Sequence, residues 1–216
     1  MAVKRRYESA RRQEQARQTR RAILNAAGKL FVDPGYAATP LTAVAAEAGV
    51  AIQTVYAVFG SKRQLLSELI DVTIAGDDEP LAIPERPFTA DIRALTDPRA
   101  KLARYAQHLT EVHARQADVM IALAGAATAD ADAATIWRKN AEDRRHGMTM
   151  FATELAATGR LRPDQDVDSV TDVLWLAMDI HNYDWLVRQR GWSSGQYQRW
   201  YVDTVAAVIL DTPHQA

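Results

Sequence analysis

Apolar residues in this chain recur at intervals of three and four, the helical period, and the clearest run lies between Thr39 and Leu66. Leu41, Val44, Ala45 and Ala48 share one face of a first helix. Thr39 before Pro40 reads as its opening, the hydroxyl capping free N–H groups and Pro taking the first helical position. Gly49 is placed to end that helix in the left-handed region. A second helix fits Ala51 to Phe59, with Ile52, Val55, Tyr56 and Phe59 at helical spacing, and Gly60 stops it. Ser61 with Gln64 forms a capping box for a third helix through Leu65, Leu66, Leu69 and Ile70. Upstream, a helix starting before Arg20 carries Ile23, Ala27, Leu30 and Phe31 and stops at Asp33-Pro34-Gly35.

Two helices joined by a tight turn, with Ala45 and Ala48 small enough for a close crossing, form a helix-turn-helix. Such a corner either lays its second helix in the major groove of DNA or merely turns the chain in an all-α core. Charge bears on that choice. The formal net charge is −1, yet residues 1–66 hold 11 Lys and Arg against 4 Asp and Glu, while the remainder holds 15 against 23. A basic head on an acidic body suits a polyanionic partner at one end. Residues 1–18 contribute Lys4, Arg5, Arg6, Arg11, Arg12 and Arg17 with few large apolar residues to anchor them, so a flexible basic arm is expected. It serves either to follow phosphates or the minor groove, or only to solubilise.

On the second helix of the motif Val55 and Phe59 face inward, which leaves Gln53, Thr54, Ala57 and Val58 toward a groove, with Ala51 and Ile52 at the helix start. Gln53 is the best base reader, since its amide pairs bidentately with adenine. Ala57 and Val58 offer apolar contact, as with a thymine methyl. Thr39 and Thr42 lie on the first helix, whose N-terminal N–H groups and positive dipole end suit a phosphate.

Gly35-Tyr36-x-x-Thr39, Val44-Ala45-x-x-Ala48-Gly49-Val50 and Thr54-Val55-Tyr56-x-x-Phe59-x-Ser61-Lys62-x-x-Leu65-Leu66 together resemble the DNA-binding domain of TetR-type transcriptional repressors. The resemblance covers about the first third of the chain. It implies that Tyr56 and Lys62 contact phosphates and that the protein is a homodimer paired through its last two helices. Pro40, Ala51, Gln53 and Val58 depart from the commonest pattern of the family, in which Thr, Ser, Gly and a polar or aromatic residue are frequent at those places. The expected fold is all-α: a three-helix head over 19–66, then a larger helical ligand-binding and dimerisation domain over 67–216.

Beyond Ile74 a segment with Pro80, Pro84, Pro87 and Pro98 reads as a linker or loose crossover. Helical pattern resumes, with helices predicted at about 99–115, 117–128, 131–158, 167–190 and 194–211. The last two are apolar around more than one stripe. Trp185, Tyr197, Trp200, Tyr201 and Val205 are the candidate dimer face; the alternative is a stripe that covers a neighbouring helix of the same chain. An effector pocket is expected among Tyr105, His108, Met120, Trp137, Met148, Phe151, Trp175, Met178, Asp179 and His181, an apolar and aromatic set with few polar groups. Each of these taken singly also suits a plain core, and Asp179 could bind a cation or a ligand N–H or could face solvent.

The chain has no cysteine, which excludes disulfides, thiolate zinc sites and cysteine nucleophiles. No apolar run is long enough to span a bilayer and no basic-then-apolar leader opens the sequence, so a cytoplasmic protein is expected. Asp143 with His146, and His181 with Asp184, have the carboxylate–histidine spacing of helical metal sites, but an obvious set of bridging carboxylates is missing and Arg144 and Arg145 flank His146. Neither enzyme, cofactor nor resident metal is expected. The prediction is a ligand-responsive repressor that binds a palindromic operator, with an effector-independent DNA-binding dimer and a helical metal enzyme as alternatives.

Overall fold

A computed structural model describes residues 2–77 and 85–211, with side chains from residue 11 onward. The described residues are helical apart from their connections and one isolated bridge between Leu161 and Leu210. By contact the chain divides into two compact units, Met1–Val72 with Asp118–Trp137, and Thr73–Ala117 with Arg138–Ala216.

The first unit opens on α1 (Ala2–Leu30), which is continuous where the sequence suggests a flexible arm over 1–18. Its N-terminal half is rich in Ala, Arg, Gln and Glu, good helix formers, and contains no Gly or Pro. Glu14 adds local pairing with Arg17 and with Gln18 at 3.1 Å, and the buried half of the helix supplies a nucleus from which it extends. A wide turn over Phe31–Gly35 closes the helix, Asp33 leaving helical geometry at φ −141°, ψ 115°. Next come α2 (Leu41–Glu47), α3 (Ile52–Phe59) and α4 (Lys62–Ala75). Ile23, Ala27, Phe31, Val44, Val55, Phe59 and Leu65 are almost wholly buried and form the core of the head.

Thr39 departs from expectation. It is 1 % exposed, and its single hydroxyl proton is shared between the Leu30 carbonyl at 2.7 Å and the Gly35 carbonyl at 2.8 Å. Pro40 takes the cap position of α2 without a side-chain hydrogen bond. Thr39 thus ties the end of α1 to the start of α2 instead of capping the latter, and its hydroxyl is closed to phosphate. Replacing it by Val keeps the shape and removes the donor, so an unfolding titration should show a loss of about 1–2 kcal/mol. The opening of α4 is half as predicted: Ser61 accepts from the Gln64 N–H at 3.0 Å, but the Gln64 amide turns to Glu68.

The second unit begins with the end of α4, where Arg115 donates to the carbonyls of Thr73 and Ile74, both at 3.2 Å. The predicted linker contains a helix, α5 (Pro87–Ala94), started by Pro87. The buried Lys101 ammonium donates to the Ile92 carbonyl at 2.8 Å and so closes the last turn of α5. Pro80 and Pro84 lie outside the described residues. One helix, α6 (Pro98–Ala126), replaces the two predicted over 99–115 and 117–128, because Arg115-Gln116 contains no breaker and Gln116 is buried. Next are α7 (Ala131–Ala156) and α8 (Val167–Ala177), the latter opened by a reciprocal box between Asp166 and Ser169.

The predicted helix over 167–190 is broken after Met178. Asp179 is extended at φ −64°, ψ 137°, and its carboxylate accepts from the His181 N–H at 2.9 Å, starting the short α9 (Ile180–Tyr183). The Asn182 amide donates back to the carbonyls of Leu176 at 2.9 Å and Ala177 at 3.3 Å. Two short polar side chains thus satisfy both helix ends at the break, the usual way Asp and Asn compete with a continuous helix. A wide helical turn over Asp184–Gln189 leads to α10 (Ser194–Ile209), capped by Ser193 and Gln196 in a reciprocal box. The core of this unit contains a cluster that includes Tyr105, Phe151, Leu155, Leu174, Met178, Tyr201 and Val205.

Candidate nucleic-acid interface and core cluster

The turn between α2 and α3 is set by its backbone. Gly49 has φ 67°, its N–H donates to the Ala46 carbonyl at 3.1 Å, and Val50 donates to Ala45 at 3.0 Å, the paired bonds of a Schellman end. The two helices are bent by 107°, within the range of a helix-turn-helix. Gly60, at φ 73° and ψ −48°, ends α3 with a positive φ that favours glycine.

Val55 and Phe59 pin α3 to the head, and the opposite face is open. Ala51, Gln53, Tyr56, Ala57 and Val58 are exposed, Ile52 and Thr54 half-buried, and Thr42 is exposed on α2. No residue of α3 is acidic, so nothing on this face repels a polyanion. The major groove of B-DNA is wide enough to admit an α-helix.

Lys62, at the start of α4, is half-buried, with its ammonium 4.2 Å from the Tyr36 ring centroid. Burial lowers its pKa from the ordinary lysine value, against which the Asp130 charge acts. Burial, with Asp130 and Asp132, raises the Tyr36 phenol to about 12. Arg63 lies 3.8 Å from Asp132. Tyr36, Asp130 and Asp132 were not among the residues expected to bear on DNA binding. Tyr36 stands in the motif and could have been found there; the two acids, some 70 residues further on, carry no local signal.

In the second unit the structure gathers some candidate pocket residues and scatters others. Tyr105, Met148, Phe151 and Met178 belong to one buried cluster, with the Tyr105 and Phe151 rings 4.8 Å apart and the Tyr105 hydroxyl 3.7 Å from the Met178 sulfur. Trp175 packs against the edge of that cluster and donates to the Ala141 carbonyl at 3.2 Å. His108 instead stacks on Phe88 of α5 at 3.5 Å, and burial together with nearby arginines lowers it to about 4. Met120 and Trp137 fall in the first unit. Asp179 holds α9, lies 2.7 Å from His181 Nδ1 and 3.4 Å from Arg144; burial pushes its pKa up, but these partners keep it below the ordinary value.

The candidate dimer residues divide sharply. Trp185 is 55 % exposed and Trp200 half-buried, but Tyr197, Tyr201 and Val205 have no exposed surface and belong to the interior of their own unit. The second stripe of α10 covers helices of the same chain. Leu176, 62 % exposed, and Val208, 41 % exposed, are further outward apolar side chains.

His113, also unanticipated, is 1 % exposed, 3.3 Å from the Tyr197 hydroxyl through Nδ1 and hydrogen-bonded to the Met178 backbone. Burial first, and then the Arg144 charge, lowers it to about 3, so the ring is neutral. A neutral ring has one donor and one acceptor. The donor goes to the Met178 carbonyl, and Nδ1 accepts from the Tyr197 O–H. Its place one turn after Leu109 on the buried face of α6 was the available signal. Among the described residues no three His, Asp or Glu side chains group closely enough to hold a metal ion, and no single helix is long and apolar enough to cross a membrane.

An open, acid-free helix mounted at 107° on its partner, with basic residues at its rim, defines a helix-turn-helix DNA-binding protein. Residues 23–69 match the family model described as bacterial regulatory proteins, tetR family. No curated protein matches the chain significantly in sequence. Solved structures do share its fold. A transcriptional regulator from Saccharomonospora viridis in complex with choline is 20 % identical, with a TM-score of 0.62 over 89 % of this chain and 98 % of that one. FadR from Bacillus subtilis in complex with stearoyl-CoA is 17 % identical, with a TM-score of 0.65 over 85 % and 96 %. A TetR-family protein from Rhodococcus sp. is 16 % identical, with a TM-score of 0.64 over 89 % and 98 %. Residues 23–69 are thus a TetR-type DNA-binding domain, carried on a chain whose fold those structures share.

Proposed function

We propose that this regulator is a cytoplasmic repressor that binds a palindromic operator as a homodimer and is released by a small effector held in the second unit. The observation that carries the DNA-binding part is the exposed, acid-free face of α3. Gln53 reads a base edge, Ala57 and Val58 meet apolar base atoms, and Tyr56 and Lys62 touch phosphates. Thr42 and the start of α3 at Ala51, Ile52 and Thr54 complete the contact surface. Pairing runs through the last helices, with Leu176, Trp185 and Val208 as its outward apolar side chains and Trp200 beside them. Two α3 helices then stand about 34 Å apart, one turn of DNA.

That the second unit takes an effector is supported by its buried apolar cluster with the Tyr105, Phe151 and Tyr201 rings, and by choline and stearoyl-CoA in structures of the same fold. An effector shifts DNA binding only as far as it prefers one state of the dimer over the other. Selection of genomic fragments by the purified protein at moderate salt, followed by sequencing, tests the proposal. One palindromic motif is expected; diffuse recovery would remove sequence-specific recognition. In the same assay Gln53→Ala should relax preference at one position of each half-site by about 1–3 kcal/mol, whereas Lys62→Ala should weaken all sequences alike and flatten the salt dependence.

A further inference from the structure

The proposed effector site contains two buried hydrogen-bond donors that the fold leaves unused. The Tyr201 hydroxyl is fully buried and, among the described residues, has no hydrogen-bond partner; the same is true of Arg144 Nε. Tyr105 links them. Its ring is 5.8 Å from that of Tyr201, and its hydroxyl reaches the Met178 sulfur, a weak acceptor. The Arg144 guanidinium lies 5.8 Å from the centre of the Trp175 ring, at the edge of the same cluster, and its charge acts on Tyr105 and on His113. His113 and Tyr197 satisfy each other, so they do not compete for a ligand.

Leaving a buried donor unmade is costly, and both unmade groups here are donors. Resting on the effector reading above, we propose that Tyr201 and Arg144 receive the acceptor end of the effector, a carboxylate carried on a small apolar or aromatic body. Phe151, Met148 and the Tyr105 ring supply the apolar surface around it. A carboxylate offers several acceptor sites and a charge opposite to that of the guanidinium. A cationic effector meets the reverse situation. Arg144 opposes it, and Asp179, the acid beside Arg144, is already engaged by Arg144 and by the His181 N–H and ring.

The experiment measures thermal unfolding and operator binding with benzoate, phenylacetate, octanoate, benzamide, choline and stearoyl-CoA as probes, in the wild type, Tyr201→Phe and Arg144→Gln. At least one of the three carboxylates should raise the melting temperature of the wild type and release the operator. Tyr201→Phe should be as stable as the wild type or more so without a probe, because it removes an unmade donor, yet bind the active carboxylate on the order of tenfold more weakly. Arg144→Gln should lose carboxylate binding while leaving any benzamide response unchanged. A Tyr201→Phe protein that is less stable without a probe overturns the proposal, since the hydroxyl would then be bonded in the free protein. Equal carboxylate affinity in Tyr201→Phe overturns it as well. If choline or stearoyl-CoA releases the operator and the carboxylates do not, the carboxylate assignment falls and the effector reading stands. If no probe changes operator binding, both fall.

Discussion

Leu176→Lys combined with Trp185→Lys is expected to give a folded monomer whose operator affinity is lower by about a hundredfold or more. Both side chains are mostly in solvent within the single chain, so replacing them removes little of its own packing. Lysine near the end of α8 also complements the negative end of the helix dipole. A two-fold interface brings both copies of each new charge to the same seam, so four cations replace four large apolar groups. The second head of a dimer binds at an effective concentration set by its attachment to the first, and a monomer loses that advantage entirely. Sedimentation velocity with operator titration checks the result. A variant that stays dimeric at micromolar concentration, with unchanged affinity, would place the partner face elsewhere.

Acid is expected to unfold the second unit well before its carboxylates are protonated. His113 is held neutral by burial and by Arg144, its pKa about 3 in the folded protein against about 6.5 in the unfolded chain. His108, under Phe88, is lowered to about 4 by burial and arginines. Both folded values lie below the unfolded one, so between pH 6.5 and 4 the unfolded chain takes up protons that the native protein refuses. Stability is complete above pH 6.5 and falls as the pH drops through that window, His113 alone contributing a slope of ~1.4 kcal/mol per pH unit. Urea unfolding at pH 7, 6 and 5 should show the midpoint moving down at each step. His113→Phe should reduce the pH dependence, at some cost in stability from the freed Met178 carbonyl and Tyr197 hydroxyl.

The head was legible in the sequence because its signals are local. Gly49 and Gly60 end their helices at positive φ as their positions suggest, and the inward and outward sides of α3 divide at Val55 and Phe59 as the helical period dictates. Thr39 misled because Thr before Pro is a common helix opening, whereas the end of α1, nine residues back, supplies the better acceptor. In the second unit the signals are non-local. Periodicity shows that Tyr197, Tyr201 and Val205 share a stripe, but not whether the stripe meets its own chain or a partner, and the structure gives the former. The break at Asp179 was marked by Asp and Asn within an apolar run, and the length of the run obscured it.

The head is also less separable than its family match suggests. Lys62 and Arg63 act electrostatically with Asp130 and Asp132, which belong to the same compact unit although about 70 residues later in the chain. Exchanging DNA specificities between relatives by splicing at residue 72 would transplant the bases of α4 without their acids. Such a hybrid would carry two less-balanced cations next to the operator and would bind DNA in general more tightly, eroding its discrimination. A faithful graft has to be discontinuous, taking 118–137 along with 1–72.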